Sequence, residues 1–286
     1  MAYTLANFPA TVCNLLQIDL PELATPQPFS PVVSSAQSIL GSRPLERLLV
    51  YAPDAIGQHL WERFPQAQDE VLQHAPVPVE LNAMLPSNTP VCFASLFTGA
   101  QPAQHGIQRY EKRRLTCDTL FDALVRAGKR VALVALEDSS MGTIFGGRGP
   151  EYRIKPSQHV SAEEAGDPMV YFIEQYDAQA NWRGLKLLAE DAYDVLVVYN
   201  MQYDDLLHAT EPFSREGTLA FQLHLASFAR LAQAAGEYWK HHDYALCFTP
   251  DHGAHLDPET GHGTHGSDLT ADVALKHFWG FSPAGR

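Results

Sequence analysis

The chain has 286 residues and a formal net charge of −13, with 45% hydrophobic and 19% charged residues. This length allows one large α/β domain or two small ones, and the composition is that of an ordinary globular protein. The negative charge argues against a nucleic-acid polymer or an anionic membrane surface as the main partner. It leaves room for a small phosphate-containing substrate, because a bound cation can reverse the sign of the charge locally.

The sequence offers no targeting or membrane segment. Residues 1–20 lack the basic start and long apolar core of a signal peptide, and no apolar run reaches the roughly 18 to 20 residues of a membrane span. The cysteines, which have no CxxC spacing, are Cys13, Cys92, Cys117 and Cys247. Such scattered cysteines favour reduced thiols, so we expect a cytoplasmic protein. Its oligomeric state is not indicated.

The first 44 residues predict a helix followed by an arm. Val12, Leu15 and Leu16 form an apolar stripe within residues 1–20, and Pro21 ends the helix. Residues 21–44 are rich in proline and serine, which is typical of a connecting arm on the surface.

Apolar runs of strand length then alternate with amphipathic segments. Strands are predicted at 47–52, 130–136, 194–200 and 244–248, with an edge strand at 77–84, a short strand within 151–160 and a last apolar segment at 275–281. Helices are predicted at 59–64, 91–97, 118–126, 168–180, 182–189 and 214–238, with a glycine-rich loop at 139–150. The pattern predicts an α/β fold, a mostly parallel sheet sandwiched by helices, in a single domain over 1–286. A small cap would lie within residues 108–193.

The glycine-rich segment at 146–149 is not interpreted as a phosphate-binding loop. No Lys-Ser/Thr pair follows it, and no strand directly precedes it.

Three of the predicted strands end in acidic or histidine-bearing turns. Asp54 follows the first strand, Asp204 and His208 follow the strand at 194–200, and Asp251 and His252 follow the strand at 244–248. Because the carboxyl ends of parallel strands meet at one edge of a sheet, these side chains are expected to lie together. Carboxylates and neutral imidazoles are the usual ligands of zinc and manganese. A metal site is therefore predicted at this edge, although Asp54 would serve equally well as a helix cap.

A hydroxyl group is predicted to face this edge. Residues 85–90 form a turn into the apolar helix at 91–97, so Ser87 or Thr89 lies near a helix N-terminus. Exposed N–H groups favour an anion there, but a plain helix cap explains the same residues.

Further short motifs accompany these residues. They are Thr98-Gly99, the PAQHGI segment at 102–107, Pro212 four residues after His208, the TPDHG segment at 249–253 and the GTHG segment at 263–266. In order and spacing, over about residues 47–281, the motifs resemble the alkaline phosphatase superfamily in its type I phosphodiesterase and nucleotide pyrophosphatase branch. The Cys-x-Pro-x-Arg motif of the sulfatase branch is absent from the sequence.

The resemblance implies two divalent metal ions, zinc or manganese, and a threonine nucleophile. One ion would be held by Asp54, Asp251, His252 and the nucleophile, and the other by Asp204, His208 and His265. Thr89 is preferred to Ser87 because of its spacing to Thr98. His265 is preferred to His255 and His262 because of its Gly-x-His-Gly context.

The implied activity is hydrolysis of a small phosphate ester or diester through a phosphothreonine intermediate. A phosphonate hydrolase, a phosphomutase and a non-catalytic metal-binding relative are the alternatives. The group that binds the phosphoryl oxygen is left open, because Cys92, three residues after Thr89, offers no amide donor. Asn88 or backbone N–H groups would have to supply it.

The first helix prompts a hypothesis of circular permutation. Residues 8–21 resemble the helix that usually closes this fold after the final histidine motif. We therefore expect the first helix to pack beside the last strand.

Overall fold

The computed structural model describes residues 2–145, 158–160 and 169–285. The strands of its main sheet are β1 (Tyr3–Thr4), β2 (Arg47–Pro53), β3 (Val77–Asn82), β4 (Val131–Leu136), β5 (Gln158–Val160), β6 (Val170–Glu174), β7 (Val195–Asn200), β8 (Tyr244–Phe248) and β11 (Ala274–Ser282). A separate hairpin is formed by β9 (His255–Leu256) and β10 (Gly263–Thr264).

The helices follow the strands closely in sequence. They are α1 (Phe8–Leu16), α2 (Ser30–Leu40), α3 (Gln58–Arg63), α4 (Ala67–Leu72), α5 (Thr89–Thr98), α6 (Pro102–His105), α7 (Leu120–Arg126), α8 (Ser140–Phe145), α9 (Asp177–Glu190), α10 (Gln202–Ala209), α11 (Arg215–Tyr238) and α12 (Thr270–Val273), with a 3-10 turn at Leu5–Asn7. Among the described helices none combines the length and the apolar character required to cross a membrane.

The main sheet has nine strands in the order β1-β3-β11-β8-β2-β7-β4-β6-β5. Strands β8, β2, β7, β4 and β6 are mutually parallel, whereas β11 runs antiparallel to both of its neighbours. Every residue of β2, β4, β7 and β8 is buried, as expected for strands covered on both faces. The prediction of a mostly parallel sheet flanked by helices is confirmed.

The register of the central strands brings three turns together. Pro53 of β2 lies opposite Asn200 of β7, and Tyr51 lies opposite Phe248 of β8. The residues that follow these strands therefore leave the sheet side by side at its carboxyl edge.

Three local predictions were wrong. Residues 21–44 contain helix α2, whose Val32, Ala36 and Leu40 are buried at helical spacing within a serine-rich segment. The predicted helix at 168–180 begins instead as strand β6, which pairs with β4, and the helix proper is α9. The predicted loop at 139–150 begins with α8. In each case apolar residues bury against the sheet or its helices and override local composition.

Strand β3 lies second from the edge of the sheet. Strand β1 pairs only with Leu81 and Asn82, so the part of β3 that contains Pro78 has β11 alone as its partner. A proline without a ladder N–H is compatible with that position.

The first helix lies against the last strand at one point. The ring of Phe8 is 5.5 Å from that of Trp279 and 6.3 Å from that of His277, measured between centroids. The circular permutation itself stays a prediction.

The region at 108–193 supplies three strands, β4, β5 and β6, to the main sheet. The glycine-rich segment at 146–149 and residues 151–157 of the predicted short strand lie outside the described residues. A small cap in this region therefore stays a prediction.

Candidate active site

Three of the predicted residues surround a fourth, His252, at its Nε2 atom. It lies 3.3 Å from Oδ1 of Asp54, 3.4 Å from Oδ2 of Asp251 and 3.2 Å from Oγ1 of Thr89. All four side chains are buried. Thr89 is brought there as the first residue of α5, while the other three leave β2 and β8 at the carboxyl edge of the sheet.

The other three predicted ligands form a second group next to it. Oδ1 of Asp204 lies 3.5 Å from Nε2 of His208 and 3.4 Å from Nε2 of His265, and the two Nε2 atoms are 3.0 Å apart. Asp204 and His208 are four residues apart on α10, which places them on one face of the helix.

The two groups are connected through His252. The possible metal-ligand atoms of Asp54, Asp251 and His252 lie within 4.8 Å of one another, and so do those of Asp204, His252 and His265. The imidazole rings of His252 and His265 are 4.0 Å apart between centroids. The structure therefore brings together all seven residues predicted for the nucleophile and the two ions, and their assignment to particular ions stays a prediction.

The acidic side chains in these groups have unpaired oxygen atoms. Within the described part of the chain, Oδ1 of Asp54, Oδ1 of Asp204 and Oδ2 of Asp251 are buried and accept no hydrogen bond. Leaving a buried carboxylate oxygen without a partner costs on the order of several kcal/mol. Divalent cations would satisfy all three oxygens at once, so the residues fit a metal centre.

Hydrogen bonds at Nδ1 orient the three histidines of these groups, His208, His252 and His265. Nδ1 of His252 donates to the carbonyl of Gly253, Nδ1 of His208 to that of Gly263 and Nδ1 of His265 to that of Ser87, at 3.0, 3.0 and 3.1 Å. Because a carbonyl only accepts, the proton is on Nδ1 and each Nε2 presents a lone pair to the site. Two lone pairs facing each other between His208 and His265 require a proton or a cation between them.

The pKa values reflect the crowding of charge. Burial raises the pKa of Asp54 well above its usual value and that of Asp251 to about 7, with neighbouring carboxylates adding to both shifts. Burial also acts to raise the pKa of Asp204, but the neighbouring imidazole of His265 outweighs it and the pKa is lowered. Burial acts to lower the pKa of His265, and the carboxylate of Asp204 reverses that shift. The site is thus short of positive charge.

Close backbone contacts fix the distances between the turns. A Cβ atom on Gly57 would lie 2.4 Å from Cα of Gly253, so only glycine allows the turn after β2 to approach the turn after β8. A Cβ atom on Gly263 would lie 2.7 Å from the carbonyl oxygen of Leu207, which lets β10 pass against α10. The first contact places Asp54 beside Asp251, and the second places Gly263 where it can accept from His208.

Ser87, the alternative nucleophile, has a different role. Its hydroxyl donates to the carbonyl of Ser267 at 2.7 Å, and its own carbonyl accepts from His265. Ser87 therefore orients the loop that carries His265, and Thr89 is the hydroxyl that contacts His252.

The two candidates for binding a phosphoryl oxygen differ in their surroundings. Oδ1 of Asn88 accepts from the N–H of Val91 as the cap of α5, which leaves its amide nitrogen as the donor. The thiol of Cys92 contacts the carbonyl of Met84 instead, and burial raises its pKa well above its usual value.

Two of the short motifs are structural. Gly99 ends α5 with a φ of 71°. The N–H of Ile107 donates to Nδ1 of His105, so Nε2 of His105 donates to Oγ of Ser95 at 2.9 Å. These contacts hold α5, and with it Thr89, in place.

The two histidines that are alternatives to His265 make hydrogen bonds outside these groups. His255 bonds to Asp272, and His262 bonds to the carbonyl of His208.

Several supporting residues could not be identified from the sequence. Tyr199 donates to Oδ2 of Asp54, and Asp177 and His224 accept from backbone N–H groups at the start of α10. Tyr199 stands in an apolar strand, and the other two stand in amphipathic helices, where nothing in the local pattern distinguishes them from ordinary core or surface residues.

The fold, a mostly parallel sheet flanked by helices, is of the alkaline phosphatase-like α/β class. No protein-family model and no curated protein sequence matches the chain. It is similar to the structure of murine ectonucleotide pyrophosphatase/phosphodiesterase 5, with a TM-score of 0.53, 15% identity, and coverage of 75% of this chain and 59% of that one. An inactive variant of that protein in complex with AMP gives the same values.

A second similar structure is phosphonoacetate hydrolase from Sinorhizobium meliloti in complex with phosphonoacetate. The TM-score is 0.48 and the identity 18%, with coverage of 76% of this chain and 59% of that one. The chain thus spans about three fifths of the length of both proteins. Both belong to the nucleotide pyrophosphatase/phosphodiesterase branch of the alkaline phosphatase superfamily. The likeness to the murine protein shows the fold that the sequence motifs predict.

Proposed function

We propose that this chain is a two-metal phosphoesterase that hydrolyses a small phosphate ester or diester through a phosphothreonine at Thr89. One observation carries the proposal: three buried, unpaired carboxylate oxygens and the Nε2 atoms of three histidines lie in two adjoining groups that share His252, and Nε2 of His252 is 3.2 Å from the hydroxyl of Thr89. The similarity to a protein whose name includes pyrophosphatase and phosphodiesterase supports the same class of reaction.

The proposed ligands divide into two sets. Asp54, Asp251, His252 and Thr89 would hold one ion, and Asp204, His208 and His265 the other, with zinc or manganese as the metal. When bound, two such ions would lower the pKa of the threonine hydroxyl and offset the charge of the phosphoryl group.

The chain's own residues position and receive the reacting atoms. Oγ1 of Thr89 attacks phosphorus in line with the leaving group, so that an Oγ1–P bond forms while the P–O bond to the leaving alcohol breaks. The hydroxyl proton passes to solvent and the leaving oxygen takes up a proton. Water then cleaves the phosphothreonine and restores the hydroxyl group.

A phosphoryl oxygen would be bound at the N-terminus of α5. The N–H of Thr89 and the amide nitrogen of Asn88 are the donors that we assign to it. Pro90 has no N–H, and the N–H of Val91 is already bonded to Asn88, so the number of donors at this helix end is small.

The test compares wild type with Thr89→Ala and Thr89→Ser. Purified protein is assayed with p-nitrophenyl phosphate and with its bis ester after loading with Zn²⁺ or Mn²⁺, metal content is measured, and acid-quenched protein is examined for phosphothreonine by mass spectrometry. We expect wild type to bind two ions and to form phosphothreonine at residue 89, Thr89→Ala to lose turnover, and Thr89→Ser to retain part of it.

Ser87→Ala serves as the comparison variant for the neighbouring hydroxyl. We expect the Ser87→Ala protein still to become phosphorylated at Thr89, because the Ser87 hydroxyl donates to the backbone carbonyl of Ser267. Activity that survives Thr89→Ala, or wild-type protein that binds no divalent ion, would refute the mechanism. The ratio of monoester to diester turnover defines the substrate class, and turnover of phosphonates alone would favour a phosphonate hydrolase.

A further inference from the structure

Helix α10, which carries Asp204 and His208, is capped by side chains from other elements. The N–H groups of Met201 and Gln202 donate to Oδ1 and Oδ2 of Asp177 at 3.1 and 3.0 Å. The N–H of the next residue, Tyr203, donates to Nε2 of His224 at 3.2 Å. Met201, which precedes the helix, has no side-chain oxygen that could do this.

Other helices of the chain use a cap of their own. Thr119 caps α7 and Ser214 caps α11, each accepting the N–H of the residue three positions further along. In α10 the capping groups come instead from the first residue of α9 and from the middle of α11. The start of α10 is therefore fixed to two helices rather than to its own chain.

Both capping side chains are buried. Asp177 is 9% exposed and His224 is 2% exposed. Both carboxylate oxygens of Asp177 accept an N–H, and a negative charge at a helix N-terminus is favourable. Replacing either group would leave buried N–H donors without a partner.

His224 also connects α10 to the strand that leads to Asp54. Because Nε2 of His224 accepts from Tyr203, its Nδ1 carries the proton and donates to the hydroxyl of Tyr51, 3.1 Å away. The hydroxyl of Tyr51 in turn donates to Oδ1 of Asn200 at 2.7 Å. Tyr51 is on β2 and Asn200 ends β7, so this chain of hydrogen bonds reaches the strands that precede both half-sites. One half-site is formed by Asp54, Asp251 and His252, and the other by Asp204, His208 and His265.

A third contact connects α10 to the turn after β8. The N–H of Ala254 donates to Nδ1 of His59 at 3.4 Å, so Nε2 of His59 donates to the hydroxyl of Tyr203 at 2.9 Å. That hydroxyl donates to the carbonyl of Pro212. Tyr203, adjacent to Asp204, is thus held by its backbone and by its side chain.

We propose that Asp177 and His224 are positioning residues that set the place of α10, and so the place of Asp204 and His208 relative to Asp54, Asp251 and His252. This inference rests on the proposed two-metal site. Asp204 is the third residue of α10, within the turn that the cap fixes, so a shift of the helix start moves its carboxylate directly. The ion held by Asp204, His208 and His265 depends on the cap more strongly than the other ion, because Asp54, Asp251 and His252 follow β2 and β8 and do not lie on α10.

The test is a stepwise metal titration of the full chain, with Zn²⁺ and separately with Mn²⁺, in competition with a chelating indicator. The variants are Asp177→Asn, whose amide nitrogen cannot accept from an N–H, and His224→Phe, which keeps a ring but has no acceptor. We expect the affinity for one of the two ions to fall about 10- to 100-fold, as for other groups that orient metal ligands, with a clearly smaller change in the other affinity. Excess metal should restore turnover.

Two further variants separate positioning from general loss of stability. His224→Gln keeps an acceptor and a donor, so we expect it to recover most of the lost affinity. Glu174→Gln alters another buried carboxylate, which accepts from Arg183, and should lower the melting temperature without changing either affinity. Circular dichroism identifies a variant that fails to fold, and the remaining capping variant then decides.

Wild-type affinity for both ions in Asp177→Asn or His224→Phe would overturn the inference, as would an equal loss of both affinities. Failure of the wild-type chain to bind divalent ions would instead refute the proposed function. The two failures are therefore distinguishable in one set of titrations.

Discussion

Tyr199 donates its hydroxyl proton to Oδ2 of Asp54, with 2.5 Å between the two oxygens, and both side chains are buried. The bond occupies one carboxylate oxygen and turns the other, Oδ1, toward Nε2 of His252. Tyr199 is held in turn by Phe93 of α5, whose ring packs edge-on against it at 5.3 Å. One tyrosine therefore links the orientation of Asp54 to the helix that carries Thr89.

Tyr199→Phe is expected to weaken binding of the ion at Asp54. The substitution removes a hydrogen bond to a charged group in a buried place, which costs about 1.5–3 kcal/mol, and frees the carboxylate to rotate. Affinity for that ion should fall about 10- to 100-fold in a metal titration. Tyr193→Phe makes the same chemical change at a half-buried position before β7 and should leave metal affinity as in wild type. Equal affinity in both variants would contradict the role given to Tyr199.

Asp251→Asn is expected to stabilise the ion-free protein while abolishing binding at that half-site. Burial and the nearby Asp204 disfavour the charged carboxylate, as its pKa of about 7 indicates, and the amide keeps an acceptor for the N–H groups of Ala55 and His252. Urea denaturation at pH 8 with a chelator should show a larger free energy of unfolding than in wild type. Asp268→Asn, at an exposed position, is the control, with a change of about 0.5 kcal/mol or less. A less stable Asp251→Asn protein would show that the charge serves the fold rather than an ion.

His277 is expected to make the ion-free protein sensitive to acid. Burial lowers the pKa of its imidazole to about 4 from an unfolded value of 6.5, although the hydrogen bond to the carbonyl of Pro250 acts in the opposite direction. Its contribution to stability is present above pH 6.5 and is lost as the pH falls toward 4, because only the unfolded chain takes up the proton. Between these values, the free energy of unfolding of His277→Gln should fall less steeply than that of wild type, by up to about 1.4 kcal/mol per pH unit. Identical slopes would refute this assignment.

Gly253→Ala is expected to separate the turns that carry Asp54 and Asp251. The new Cβ atom would lie 2.0 Å from the carbonyl oxygen of Ala271, and relieving such overpacking costs about 1–3 kcal/mol. Gly236→Ala is the matched control in α11, where the new Cβ atom meets only the Tyr244 hydroxyl at 3.5 Å. It should stabilise the protein by about 0.5–1 kcal/mol, as alanine does in helices. Destabilisation by the same amount in both variants would argue against the close contact.

Local sequence predicts the central strands and the acidic turns well. Strands β2, β7 and β8 are mostly apolar runs followed within a few residues by Asp54, Asp204 and Asp251, so both the strand and the acidic residue after it are visible locally. Asp204 stands in the first turn of α10 rather than in a loop. The rule that parallel strands end at one edge then brings the turns together without further information. Helix α11 is equally clear because its apolar residues repeat over 24 positions.

The features that local sequence does not predict depend on residues that are far away in the chain. Ser87 and Thr89 are two hydroxyls in one turn, and what separates them is the contact of Ser87 with Ser267, 180 residues later. Strand β6 is defined by its pairing with β4, and α2 by apolar positions within a serine-rich segment. The roles of Asp177 and His224 likewise depend on where α10 starts in space.

The candidate ligands Asp54, Asp204 and Asp251 follow three strands that lie far apart in the sequence, Asp204 in α10 and the other two in turns. They meet only where β2 has paired with both β7 and β8. Neither half-site can exist in a fragment that stops before β8. Uptake of divalent ions should consequently be one of the last events of refolding, after the slow long-range pairing of the sheet. Metal loading would then distinguish completed molecules from partly assembled ones in a newly synthesised population.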